Sequence, residues 1–317
     1  MKRLLKILGI VGGVLVILVG AFVGYVQING IPTYDRPQIA EMKVEVTPQR
    51  VANGQRMAKL LCVQCHADEN GRLTGKLMKD APKEFGLIYS KNITHDTDVG
   101  IGSWTDGQLY YFLRTGVRAD GTYTPPYMPK FPRAADEDIK DIIAWLRSDS
   151  EGLEPTKDEA PPVQPSLLTK ILCNTMFGPI PLPSQAIARP DTTDMLKLGA
   201  YIADGVMDCY GCHSSDFKTV NALVPTQSEG YYGGGNPLLN MEGGVVPSSN
   251  LTFDETGIGK YSESDFVMAL RFGKKLDGTG VRYPMVPMPY LTERECKAVY
   301  AFLKTVPKIK NEVKHPK

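Results

Sequence analysis

Neither sign of charge is in surplus. Lys and Arg number 36, Asp and Glu 35, and the net charge is +1. So balanced a chain is poorly suited to nucleic acid or another polyanion as its main partner, although local charged patches can still dock a protein. Cysteine and histidine are scarce, at 6 and 4 in 317 residues. That scarcity makes their arrangement informative, because four of the cysteines and two of the histidines fall in two copies of one pentapeptide pattern. A bare C-x-x-C is a zinc half-site or a redox dithiol, but zinc needs a second ligand pair at a suitable spacing. No such pair lies near either copy, and no βαβ context supports a thioredoxin-like reading. The chain also lacks an oxidase copper-site pattern, and no Cys after its apolar N-terminal run suits a lipid anchor.

The two copies are Cys62-Val63-Gln64-Cys65-His66 and Cys209-Tyr210-Gly211-Cys212-His213. C-x-x-C-H is the attachment signature of c-type haem. Two thiols form thioethers to the vinyl groups, and the two-residue spacer lets both sulfurs reach one porphyrin edge. The adjacent imidazole meets the iron as proximal ligand. The expected cofactors are therefore two covalently attached haem c, with Cys62, Cys65, Cys209 and Cys212 as attachment points and His66 and His213 on iron.

The N-terminus speaks to location. Lys2, Arg3 and Lys6 precede an uncharged run from Ile7 to Tyr34, strongly apolar through Val26. About 20 apolar residues span a bilayer core. The basic residues before the span and Asp35 after it predict a cytoplasmic N-terminus, with the remainder outside. A cleaved secretory signal, cut near Val19-Gly20-Ala21, is the rival reading. The retained anchor is favoured because the apolar run continues past that point. Either reading exports the chain, as haem attachment to C-x-x-C-H requires. The expectation is a single-pass protein of a bacterial inner membrane with its haem domains on the periplasmic side.

Beyond the span the chain repeats. Its length allows two domains at roughly 100–200 residues each, and its apolar fraction of 42% suits globular cores. From Gly100 onward the halves align at a constant offset of 157 residues, through Leu146 and Leu303. Thr47 with Pro48 predicts a helix start, and so do the capping boxes Thr105/Gln108 and Thr292/Glu295 and the pair Ser262/Asp265. Gly116 and Gly273 predict helix stops. Gly54 and Gly199 predict close approach of each first helix to Trp145 and Phe302 on each last one. The spacing from haem His to the Asn-x-Thr run is 26 in the first half and 37 in the second, where Tyr231 to Gly235 and Met241 to Gly244 are extra. The resulting division is 1–30 anchor, 31–46 tether, 47–149 first domain, 150–192 Pro-rich linker, 193–309 second domain and 310–317 polar tail.

A low-spin haem needs a sixth ligand, and a soft neutral thioether favours ferrous iron. Twelve Met compete. Met128 and Met285 coincide at the repeat offset, each after a Pro-containing turn, so they are the expected ligands, with Met288 left open beside Met285. Arg114 and Arg271 also match, as do Trp104 and Tyr261. They are either propionate donors or, for the arginines, solvated charges near a negative helix end. His95 faces Phe253 across the repeat and reads as a surface residue, and His315 lies in the tail. Cys173 and Cys296 are left over; Cys296, at the repeat position of Ile139, reads as a small buried hydrophobe, with a disulfide between the two as the alternative that export permits.

These residues carry a family resemblance. Each half resembles a class I cytochrome c domain over about 47–149 and 193–309, so the implied fold is all-α, two tandem class I cytochrome c domains after an N-terminal transmembrane helix. The Asn-[Ile/Leu]-Thr…Asp…Gly-Ile-Gly-x-[Trp/Tyr] block is similar to that of the cytochrome c subunits of membrane-bound alcohol and gluconate dehydrogenases. The resemblance implies three haems, whereas this chain carries two motifs. The function expected is single-electron transfer between a periplasmic or membrane dehydrogenase, or a quinol-oxidising complex, and a terminal oxidase or soluble cytochrome. The alternative is a di-haem enzyme of peroxidase or thiosulfate-oxidising type, with a labile sixth ligand at one iron. A haem-bearing domain that only holds a complex together is the third class.

Overall fold

The computed structural model describes residues 2–35, 39 and 41–314. His315, the end of the tail and part of the tether lie outside these residues. Helix α1 (Lys2–Asn29) is long and apolar enough to cross a membrane, and its most apolar stretch touches nothing else in the chain. Only its last turns pack, with Val26 fully buried.

The first half is built from α2 (Pro48–Leu61), α3 (Val63–His66), α4 (Asp106–Thr115) and α5 (Asp136–Leu146). α6 (Leu167–Thr175) follows. The second half comprises α7 (Met195–Ala200), α8 (Cys209–His213), α9 (Glu263–Phe272) and α10 (Glu293–Leu303). The expected caps form. Thr47 Oγ1 accepts from Arg50 N–H, and capping boxes close at Thr105/Gln108, Ser262/Asp265 and Thr292/Glu295. Gly116 and Gly273 end α4 and α9 with φ of 83° and 72°, a conformation that costs a glycine little.

Each half encloses its own hydrophobic core, around Ile139, Ile142 and Ile143 in the first and Cys296, Val299 and Leu303 in the second. In each, the first helix crosses the last at a glycine. A Cβ on Gly54 would meet the Asp141 carbonyl oxygen at 1.9 Å, and one on Gly199 would meet that of Ala298 at 2.0 Å. Those obstacles are backbone and cannot rotate away. Gly199→Ala is therefore expected to cost about 1–3 kcal/mol through overpacking, read from the chemical-denaturation midpoint. An unchanged midpoint would mean the two helices are free to separate.

The turns repeat as the sequence does. Thr124 N–H bonds Gly116 O at 2.8 Å, and Val281 N–H bonds Gly273 O at 2.7 Å. Phe131 N–H bonds Leu113 O at 2.8 Å, and Met288 N–H bonds Leu270 O at 2.9 Å.

Several features depart from the sequence reading. Two short antiparallel ribbons occur, β1 (Gly86–Leu87) with β2 (Gln164–Pro165), and β3 (Pro237–Leu239) with β4 (Val245–Pro247). The 150–192 segment is more than a linker. Its α6 packs on α1, Asp136 N–H bonds Ile187 O at 2.9 Å, and Arg189 pairs with Asp138 and Asp141. The helix begun by α7 widens into a π-helical turn over Tyr201–Val206. There the Tyr201 hydroxyl reaches into the first half, accepting from Ala135 N–H at 2.8 Å and donating to Asp138. Arg56–Glu295 at 2.9 Å and Lys59 over the Tyr290 ring at 5.1 Å add to the contact between halves.

Candidate functional site

The end of α2 delivers Cys62, and α3 delivers Cys65 and His66. One turn of helix therefore fixes both thiols and the imidazole relative to each other. His66 Nδ1 lies 2.7 Å from the Lys91 carbonyl oxygen. A carbonyl only accepts, so Nδ1 carries the proton and Nε2 keeps its lone pair. α8 repeats the arrangement, with His213 Nδ1 2.8 Å from Ser249 O. Burial pushes both histidines below their usual pKa, against the opposing carbonyl contact, which favours the neutral form a metal ligand needs. Burial also raises all four thiols, Cys62 to about 12 and Cys212 to about 11.

Two features that the sequence reading left without a role hold these imidazoles. The first is the Asn-x-Thr run. Asn92 Oδ1 accepts from Thr94 N–H at 2.8 Å and Thr94 Oγ1 at 2.7 Å, while its amide nitrogen donates to Thr156 O and Asp158 O. Asn250 does the same with Thr252, Ile309 O and Asn311 O. Each knot ties the segment beyond the last helix and fixes the carbonyl immediately before it, which is the one on the His. The second is a glycine in the left-handed region, Gly75 (φ 87°) and Gly234 (φ 69°), whose N–H bonds the carbonyl of His66 or His213. Gly234 belongs to the part of the second-half insertion around Tyr231 and Tyr232, which faces inward, whereas Met241 to Gly244 are exposed. Tyr231 and Tyr232 donate to the Asp204 carboxylate at 2.6 and 2.7 Å.

Around each motif opens an apolar cavity. The first, of 410 Å³, brings together Cys62, Cys65, His66, Met128, Trp104 and Arg118. The second, of 740 Å³, brings together Cys209, Cys212, His213, Met285, Met288 and Tyr261. Both sizes suit a cofactor-bearing pocket. Leu61, Pro129 and Phe131 line both cavities, so one layer of side chains separates them.

Arg114 is not a propionate donor, nor is it solvated. It is fully buried, donating to Phe131 O, Ala134 O and the Asp136 carboxylate. Arg271 donates to Pro289 O at 3.5 Å and lies over the Phe272 ring at 5.1 Å, and its Nε, like that of Arg114, is buried without a hydrogen-bond partner. Trp104 packs edge-on against Phe112, and the Tyr261 hydroxyl accepts from Leu276 N–H. His95 is not a plain surface residue: it is half-buried, with Nε2 2.8 Å from Leu146 O. Cys173 and Cys296 are unpaired and almost fully buried, which excludes the disulfide and leaves the small-hydrophobe reading.

What such an arrangement suits is a planar metal-bearing ring, joined through two sulfurs and capped by a neutral imidazole in an apolar shell. Residues 51–150 match the cytochrome c family and form a cytochrome c domain, for which covalently bound haem c is the cofactor. About four fifths of the chain is also similar to curated proteins. It is 30% identical to "Alcohol dehydrogenase (quinone), cytochrome c subunit" of Gluconobacter oxydans over 82% of this chain and 55% of that one. The "Fructose dehydrogenase cytochrome subunit" of Gluconobacter japonicus is 28% identical over 78% and 50%. A "Diheme cytochrome c-type" of Cereibacter sphaeroides is 26% identical over 78% and 82%. The chain thus spans about half the length of the dehydrogenase subunits it matches. Those relatives are electron-transfer subunits rather than the catalytic ones.

Proposed function

We propose that the chain is a di-haem electron carrier, with 47–149 and 193–309 each a class I cytochrome c domain and 150–192 joining them. Cys62, Cys65 and His66 would hold one haem c with Met128, and Cys209, Cys212 and His213 the second with Met285. The observation that carries this reading is the pair of cavities, one around each C-x-x-C-H motif, that share Leu61, Pro129 and Phe131 in their linings. Bound haem c supplies a one-electron iron couple. The residues of the chain do the rest. The thioethers fix each ring, the carbonyl of Lys91 or Ser249 orients each imidazole, and the apolar walls keep water out. Met128 and Met285, which line the two cavities, would supply a sulfur to each iron and so would leave no place for a substrate.

Met285 is preferred to Met288 on backbone grounds. Met128 N–H bonds Pro125 O at 3.2 Å, and Met285 N–H bonds Arg282 O at 3.0 Å, at the same repeat offset. Met288 instead takes the position of Phe131, tied to α9 as Phe131 is to α4.

The names of the relatives support a dehydrogenase as donor. A quinol-oxidising complex is the other donor we carry forward, and a terminal oxidase or soluble cytochrome the acceptor. Lys2, Arg3 and Lys6 in the first turns of α1, ahead of its apolar run, support single-pass anchoring in a bacterial inner membrane with both haem domains on the periplasmic side. A second reading, an enzyme with a labile ligand at the second iron, is favoured by the larger second cavity and its two competing methionines.

The denatured holoprotein is expected to retain two porphyrins per chain, by intact mass and pyridine haemochrome absorbance. One or none would end the di-haem reading.

A further inference from the structure

α6 is built inside out. At about 100° per residue, Leu167, Leu168, Ile171 and Leu172 share one face, and Thr169, Lys170, Cys173 and Asn174 the other. Of the second face, Thr169 and Cys173 point inward, and Lys170 and Asn174 are half-buried. Thr169 is 2% exposed and donates to Phe85 O at 2.7 Å, Asn174 donates to Gly30 O at 3.0 Å, and Lys170 donates to Gln27 at 3.2 Å. The apolar face is open at its start, with Leu167 40% and Leu168 43% exposed, while Ile171 and Leu172 are half-buried. Met176, just past the helix, is 68% exposed. A helix in water ordinarily turns its leucines toward the core, so this face calls for an apolar occupant outside the chain.

Its position says which. The two contacts to Gln27 and Gly30 place α6 at the C-terminal end of α1. The 28 residues of α1 are about 42 Å long at 1.5 Å per residue, against a hydrocarbon core of about 30 Å. Some turns of α1 therefore rise out of the core, and α6 packs on those, level with the lipid headgroups. Tyr25, 58% exposed, sits at the same level, where interfacial aromatics gather.

We propose that α6 is an interfacial foot. It lays Leu167 and Leu168, with Met176 beyond its end, into the headgroup–acyl boundary beside α1, in the manner of a membrane-surface helix. This rests on α1 being a retained membrane anchor. One consequence concerns direction. Ile31, two residues past α1, and Val163 and Pro165, just before α6, line the first cavity, while the second draws no lining residue from either stretch. The first site is then the one at the lipid surface, and the second faces away from it.

The test uses the full-length holoprotein in phosphatidylethanolamine–phosphatidylglycerol vesicles. Leu168→Cys, Met176→Cys, Val14→Cys and Leu223→Cys variants each carry one nitroxide. Cys173 and Cys296, 2% and 0% exposed, stay out of reach of the label. Accessibility to oxygen and to a water-soluble nickel chelate is read by spin resonance. At positions 168 and 176 the oxygen-to-nickel ratio is expected severalfold above that at Leu223, an exposed apolar residue of the second half, and below that at Val14 in mid-span. Labels at 168 and 176 as open to nickel as the one at 223 would overturn the foot and leave the anchor standing. Shielding from both reagents would mean a second copy covers the face, and would overturn it too. A label at 14 found in water would remove the anchor, and the foot with it.

Discussion

Arg114→Ala is expected to cost the first half about 3–5 kcal/mol, the range for removing one partner of a buried ion pair. The side chain has no exposed surface, and three acceptors converge on it: the carbonyls of Phe131 and Ala134 and the carboxylate of Asp136. Without the guanidinium, two buried carbonyls lose their donors, at about 1–3 kcal/mol each where no water replaces them. The Asp136 side chain is partly exposed, at 21%, so water recovers some of its loss. Arg114→Met keeps most of the volume and removes only the donors, and should lose nearly as much. The effect should also reach the ligand. Phe131 lies three residues past Met128, so freeing it loosens the loop that presents the sulfur. Expected readouts are a lower denaturation midpoint and a weakened Met–iron absorption band of the first haem. The matched Arg271→Ala should stay within about 1 kcal/mol, since its guanidinium makes one long hydrogen bond to Pro289 O and lies over the half-exposed Phe272 ring at 5.1 Å. Equal losses at the two arginines would contradict the asymmetry.

That asymmetry illustrates what was legible in the chain and what was not. Short-range signals read true. Thr105/Gln108, Ser262/Asp265 and Thr292/Glu295 formed their boxes because a cap depends on residues three apart. Gly54 and Gly199 marked the helix crossings because only a missing Cβ permits them. The cysteines and histidines came together because five consecutive residues carry the whole constellation. Arg114 and Arg271 align perfectly yet differ in role, since the carbonyls that trap Arg114 lie 17 and 20 residues on and depend on a loop path. The Tyr201 hydroxyl on Asp138 spans 63 residues and crosses between halves, which no local pattern encodes. α6 falls inside what reads as a Pro-rich linker, because its inward Thr169 finds Phe85 O only once the fold brings the two together.

The second large effect separates the two functional readings. Met285→Ala is expected to open the second iron. The ferric spectrum of that haem should turn high-spin, carbon monoxide should bind to the reduced form, and the potential should fall, within the roughly 0.8 V over which axial ligands set it. Met288→Ala should leave all three unchanged apart from some loss of packing. Met288 N–H bonds Leu270 O as Phe131 N–H bonds Leu113 O, so the two side chains occupy matching wall positions, and neither is the repeat partner of a ligand. If Met288→Ala opens the iron and Met285→Ala does not, the repeat is broken in the ligand loop and our assignment is wrong. If neither does, each sulfur can replace the other, a switchable sixth position that would favour the enzyme reading. The wild-type protein carries the remaining discrimination. A carrier saturated by sulfur at both irons should not take up carbon monoxide as isolated, whereas a site whose methionine lets go should bind it at the second haem alone. The larger second cavity, at 740 Å³ against 410 Å³, makes that haem the one to watch.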